Sequence, residues 1–167
     1  HPFSGGADGD IRITTRYDEG DFMKSLMAVI HETGHALYED GRPAQWLGQP
    51  VGHCRGMTLH ESQSLLLEMQ AARSEGFIRF LVPTMKRILG GVGPAWEPDN
   101  LLRLYRRVEP SLVRVFADEV TYPLHVILRY KLEKALLADE LSIRDLPLAW
   151  NDLMEQLVGV RPTDDTD

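Results

Sequence analysis

A chain of 167 residues with 43% apolar and 26% charged side chains belongs with folded globular proteins and outside the disordered and fibrous classes. Its length suits a single domain with a real hydrophobic core. A net charge of −7, without a lysine- or arginine-rich stripe to neutralise phosphates, excludes a typical nucleic-acid binder. Cys54 is the lone cysteine, so no internal disulfide can form and a reducing, cytoplasmic setting is expected. No apolar run approaches the ~20 residues that span a bilayer, and "HPFSGGADGD" at the start has no signal-peptide core.

In chain order, residues 1–10 read as loop from their glycines and proline, and "IRITTRY" at 11–17 alternates like a short strand with no obvious downstream partner. Phe22, Leu26, Val29, Ile30, Ala36 and Leu37 recur at three- and four-residue steps, which predicts a helix over 18–40 with acidic residues at its start and Gly41 and Pro43 at its end. Residues 41–56 form a Gly/Pro-punctuated loop. The pattern from Met57 to Leu89 is helical again, with a kink or division expected at Pro83. Further helices are expected over 100–109, 111–138 and 143–157, with Pro110 starting the second and Pro123 bending it. The polar tail "VGVRPTDDTD" reads as frayed. The expected architecture is mainly α-helical with one short extended segment near the N-terminus.

Within the first helix, "HETGHALYED" places His31 and His35 four apart, so both imidazoles project from one face and can share a metal ion with Glu32 beside them. A catalytic zinc needs a third protein ligand and an open position. Glu61 in "LHESQSLLLE" is a candidate, because a helix after a loop of this length can pack back antiparallel to the first. The plain alternative is a solvated carboxylate near a helix start. A competing ligand set would use His53 and Cys54, but adjacent loop residues rarely direct two donors at one ion. His60 reads as a support for a ligand or a donor facing substrate, and His125 as a helix-face residue without a role. With such a zinc lowering the pKa of water towards ~7, Glu32 is placed to take the proton and pass it to a leaving amine. That chemistry is amide hydrolysis.

"HPF" at 1–3, "DIRIT" at 10–14, HExxH at 31–35, "HESQ" at 60–63 and "VRVFAD" at 113–118 resemble, in order, the signature motifs of the M32 metallocarboxypeptidases, the carboxypeptidase Taq family. The resemblance extends over "EVTYPLH" at 119–125 and "LVGVRP" near the end. It implies a helical, zincin-like (gluzincin) core with a deep cleft, and His31, His35 and Glu61 as ligands of zinc or cobalt. It further implies Glu32 as general base and acid, frequent homodimers, and release of single residues from peptide C-termini. An exopeptidase must hold a free carboxylate, for which a guanidinium fork is best suited. Each of two family motifs supplies an arginine, Arg12 and Arg114, as the candidate clamp. The plain alternatives are an exposed strand residue for Arg12 and an i,i+4 ion pair with Asp118 for Arg114. Asp10, Thr14 and Asp118 would shape the cleft, and Tyr122 is a further candidate for holding substrate.

The chain departs from the family at Leu65, where relatives tend to carry arginine, at Val113, Phe116 and Pro123, and in length. Family members carry a helical part before HPF and a GxxQDxHW motif after GVRP, so the resemblance covers a central catalytic third. Three functions are therefore set against each other: a zinc carboxypeptidase acting on peptides, a zinc-binding segment without turnover, and a helical interaction module. Self-association into a homodimer or larger homo-oligomer is expected of the exposed helix faces.

Overall fold

The computed structural model describes residues 2–163, and its packing groups them into two compact units, one running to Leu102 and the other starting at Arg103. The architecture is mainly α-helical with one small sheet, as the periodicity predicts.

In the first unit, strands β1 (Phe3–Ala7) and β2 (Asp10–Thr14) pair antiparallel, with Phe3 opposite Thr14 and Ala7 opposite Asp10. The strand expected at 11–17 thus has its partner upstream, in the segment expected to be loop. Gly5 and Gly6 in "FSGGA" hide β1 from any side-chain pattern, yet pairing uses backbone groups alone, and Asp8-Gly9 supplies a two-residue turn with Gly9 at φ 81°.

Helix α1 (Phe22–Asp40) is capped by Asp21, whose carboxylate accepts from the Lys24 N–H at 3.1 Å, and closes on Gly41. Both hairpin strands pack against it. After a loop containing single 3-10 turns at Ala44–Trp46 and Pro50–Gly52, helix α2 (Met57–Leu65) returns along α1. The crossing is made at Gly34, where a Cβ would lie 2.5 Å from Ser64 Cα and 2.7 Å from the Gln63 carbonyl oxygen. Glycine costs helix stability, but here it lets two backbones touch. Ser64 is fully buried in that contact.

Helix α2 runs on into a wide π turn, Leu66–Ala71, in which the Ala72 N–H reaches back five residues to the Leu67 carbonyl at 2.8 Å. The chain breaks before α3 (Glu75–Leu89), which Ser74 caps. The division falls there and not at the expected Pro83. Pro83 lies on the exposed face of α3, so the carbonyl it leaves without an intrahelical partner is open to water. Helix α4 (Pro98–Tyr105) begins on a proline, whose missing N–H is not needed in a first turn.

The second unit corrects a larger expectation. Residues 111–121 are not helical apart from a 3-10 turn at Arg114–Phe116, and α5 spans Tyr122–Leu137. Asp118 is the reason. Its buried carboxylate accepts from the backbone N–H groups of Glu109, Val120 and Thr121 at 2.9, 2.8 and 3.0 Å and from the Thr121 hydroxyl at 2.9 Å, which ties the segment into a turn. Pro110 starts no helix, and Pro123 lies in the first turn of α5, where it bends nothing. Leu128 and Leu132 of α5 pack on Met154 and Val158 of α6 (Leu146–Val158), four apart on each helix. Each such buried side chain is worth about 1.5–3 kcal/mol. The tail expected to fray from Val158 is instead tied down at its start, where Val158 closes α6, Val160 packs on its core and Arg161 pairs with Asp152 and Glu155; residues 164–167 lie outside the described residues, as does His1 of the "HPF" motif.

Candidate metal centre

The candidate site lies in the first unit, where α1 and α2 cross. The histidines at positions 31 and 35 project from one face of α1, and α2 presents Glu61 to both. His35 Nε2 lies 3.1 Å from Glu61 Oε2 and His31 Nε2 3.7 Å from Oε1. Donor atoms around a tetrahedral zinc at ~2.05 Å lie about 3.3 Å apart, so the observed separations bracket that spacing. Among the described residues these three form the group able to share an ion, with one donor atom from each inside 4.8 Å. His53 and Cys54 do not belong to it.

The other ring nitrogens are engaged. His31 Nδ1 is 2.8 Å from Glu68 Oε2, and His35 Nδ1 is 2.6 Å from His60 Nδ1. Glu68 accepts only, so neutral His31 carries its proton on Nδ1 and turns the Nε2 lone pair towards Glu61. A lone pair facing a carboxylate is repulsive unless a cation lies between, and that chemistry fits a metal. Without a metal, burial disfavours the charged form of His31, but the bond to Glu68 and the charges of Glu68, Glu61 and Glu32 outweigh it and raise the pKa. His35 goes the other way: burial lowers its pKa, Glu61 opposes, and the charges of His31 and His60 add to the lowering. A ring that resists protonation is a ready ligand.

Glu32 is buried one residue along α1 and influences both histidines electrostatically without contributing a donor atom to the ligand group. His60 is buried between His35 and Glu39, its Nε2 2.7 Å from Glu39 Oε1, the place of a support for a candidate ligand. Two site residues escaped the reading of the sequence. Glu68 lies seven residues after Glu61, two turns along the same face, and Glu39 lies four after His35, so both followed the period that exposed the ligands.

The two candidate substrate arginines each have a neighbour of their own. Arg12 is on the exposed hairpin, its Nε and Nη2 donating to the Asp10 carboxylate at 2.7–3.0 Å. In the second unit Arg114 Nη1 donates to the Tyr122 hydroxyl at 2.5 Å, and the guanidinium lies 5.3 Å from the Tyr122 ring centre. Asp118 is satisfied by its own turn, so the i,i+4 pair with Arg114 gives way to the tyrosine contact. His125 is fully buried in α5 and its pKa is lowered, first by burial and then by the Arg129 charge.

A helical, zincin-like core with two histidines and a glutamate converging at a helix crossing defines the metallopeptidase class of site. The chain belongs to the carboxypeptidase Taq (M32) metallopeptidase family, whose model matches residues 1–167. It is 43% identical over 165 residues to thermostable carboxypeptidase 1 of Thermus thermophilus, covering 98% of this chain and 32% of that protein. It is 39% identical to carboxypeptidase 1 of Bacillus subtilis, covering 100% of this chain and 34% of the relative. Among solved structures, metallocarboxypeptidase 1 of Trypanosoma cruzi superposes with a TM-score of 0.91 at 44% identity, over 96% of this chain and 32% of that one. The M32 carboxypeptidase of Deinococcus radiodurans gives 0.89 at 40% identity, over 99% and 33%. The chain thus spans about a third of the length of the relatives it matches. No helix among the described residues is long and apolar enough to cross a membrane.

Proposed function

We propose that this chain carries the catalytic metal centre of a zinc-dependent carboxypeptidase that removes residues from peptide C-termini, with cobalt as a workable substitute. The convergence of the His31 and His35 Nε2 atoms on Glu61 carries the reading. Zinc held by those three side chains would supply a Lewis acid for the scissile carbonyl and a water of lowered pKa. Glu32 is the residue that would accept a proton beside such an ion and return it to the departing amine nitrogen. Burial keeps Glu32 away from bulk water.

The terminal carboxylate of the peptide calls for a guanidinium. Arg12 and Arg114 are the two candidates for that clamp, Arg12 paired with Asp10 and Arg114 donating to the Tyr122 hydroxyl, which would make Tyr122 its support. The same reading carries a cytoplasmic location and self-association, for which the exposed Phe80, Val92, Leu137 and Ile143 supply apolar surface.

The test is release of the C-terminal residue from an N-blocked dipeptide by the zinc-loaded protein and by Glu32→Gln. The variant is expected to keep its zinc and lose activity by about 10²–10⁴-fold. Full activity in Glu32→Gln would sink the assignment of the base.

A further inference from the structure

The two histidine ligands are oriented differently. His31 meets a carboxylate directly, at Glu68, but His35 meets a second imidazole, and an imidazole can present either a proton or a lone pair. What decides between them is one step further out. His60 Nε2 lies 2.7 Å from Glu39 Oε1, and Glu39 Oε2 is held by Arg42 Nε at 2.8 Å. Arg42 is anchored in turn, with Nη2 donating to Asp8 in the hairpin turn at 2.6 Å and Nη1 to the Gly52 carbonyl at 3.3 Å.

We propose that Glu39 is a positioning residue for the metal centre, setting the proton positions on His60 and through it on His35. The reading rests on the metal centre proposed above. The proton count runs outwards in. An ionised carboxylate can only accept, so His60 carries its proton on Nε2. The Nδ1 atom of neutral His60 is then a lone pair, and at 2.6 Å it requires a proton on His35 Nδ1. Neutral His35 is left with its lone pair on Nε2, the atom 3.1 Å from Glu61. The opposite order of protons would put hydrogen on His35 Nε2 and close that ligand. His31, His35 and Glu39 recur at four-residue steps on α1, while His60 precedes Glu61 on α2, so the crossing that assembles the ligands also assembles this relay. Tyr38 packs against His60 in a T-shaped contact, with ring centres 4.9 Å apart.

Long-range ¹H–¹⁵N correlation on histidine-labelled protein reads the tautomers directly. The expected pattern is Nδ1–H on His35 and Nε2–H on His60. Glu39→Leu removes the acceptor, and its zinc affinity, read by competition with a chromophoric chelator, is expected to fall by about 10–100-fold. Asp8→Asn loosens the hairpin anchor beyond Glu39 and is expected to leave zinc affinity within about twofold, which separates proton positioning from general loosening. A folded Glu39→Leu protein with wild-type zinc affinity would overturn the proposal. Nε2–H on His35 in the wild type would overturn it without any variant, so a Glu39→Leu protein that did not fold would leave the decision to that measurement. A wild type that bound no zinc would overturn the metal reading itself, whereas normal zinc binding with the opposite tautomers would overturn the role of Glu39 alone.

Discussion

Gly34→Ala adds one methyl group at the closest point between α1 and α2. Its Cβ would meet Ser64 Cα at 2.5 Å, the Gln63 oxygen at 2.7 Å and the Ser64 nitrogen at 2.9 Å. Carbon atoms in ordinary contact lie about 3.5–4.0 Å apart, so the shortfall is about 1 Å. All three atoms are backbone, and no side-chain rotation relieves the clash. The helices must part. Overpacking of this kind costs about 1–3 kcal/mol, and alanine's better helix propensity returns about 1 kcal/mol. The net destabilisation is therefore about 0–2 kcal/mol, or a fall in melting temperature of a few degrees at about 2–4 °C per kcal/mol. The metal centre is less tolerant. His35 follows Gly34, Glu61 lies one turn before Ser64, and ligand distances must hold within about 0.2 Å. Zinc affinity is expected to fall by at least about 10–100-fold, equivalent to about 1.4–2.8 kcal/mol. Chelator competition gives the affinity and calorimetry of the metal-free protein gives the stability. Wild-type zinc affinity in a normally folded Gly34→Ala protein would refute the idea that this contact sets the site.

Two further perturbations test other parts. Glu68→Leu leaves His31 Nδ1 without its acceptor, and zinc binding should weaken by about 10–100-fold in the same competition assay, with an unchanged affinity counting against a support role for Glu68. Asp118→Asn turns an amide against some of the four donors that the carboxylate now accepts, at a cost of about 2–3 kcal/mol in the second unit, read by denaturant unfolding with Trp150 fluorescence. Burial opposes ionisation of Asp118, but the bonds from Glu109, Thr121 and Val120 outweigh it and hold its carboxyl below the ordinary 3.8. Its contribution is therefore complete above the unfolded value and is lost as pH falls below about 4 through the lowered folded value. The Asn variant should lack that part of the acid transition, and an identical acid limb would contradict the assignment.

The periodicity of apolar residues was sufficient to determine α1 and α6 within a few residues and the helical stretch over 57–89, though not its division before α3, because a helix that buries one face must repeat its apolar side chains at three and four. The same rule put His31, His35 and Glu32 on adjoining faces of one helix, and Glu61 at the start of the next, since i,i+4 geometry is a property of the backbone and needs no partner. Where backbone pairing or a single buried carboxylate decided the outcome, the pattern misled. The glycine-rich β1 forms through main-chain hydrogen bonds that no side chain advertises, and the apolar run through 111–121 is held out of the helix by the four bonds to Asp118. The tertiary structure alone decided which partner meets each imidazole. Ring orientation depends on what meets the far nitrogen, and Glu68 and His60 reach those of His31 and His35 from across the crossing where Gly34 lets the two backbones touch. A sequence can name the donors of a metal site; the direction of their lone pairs is set where two helices touch.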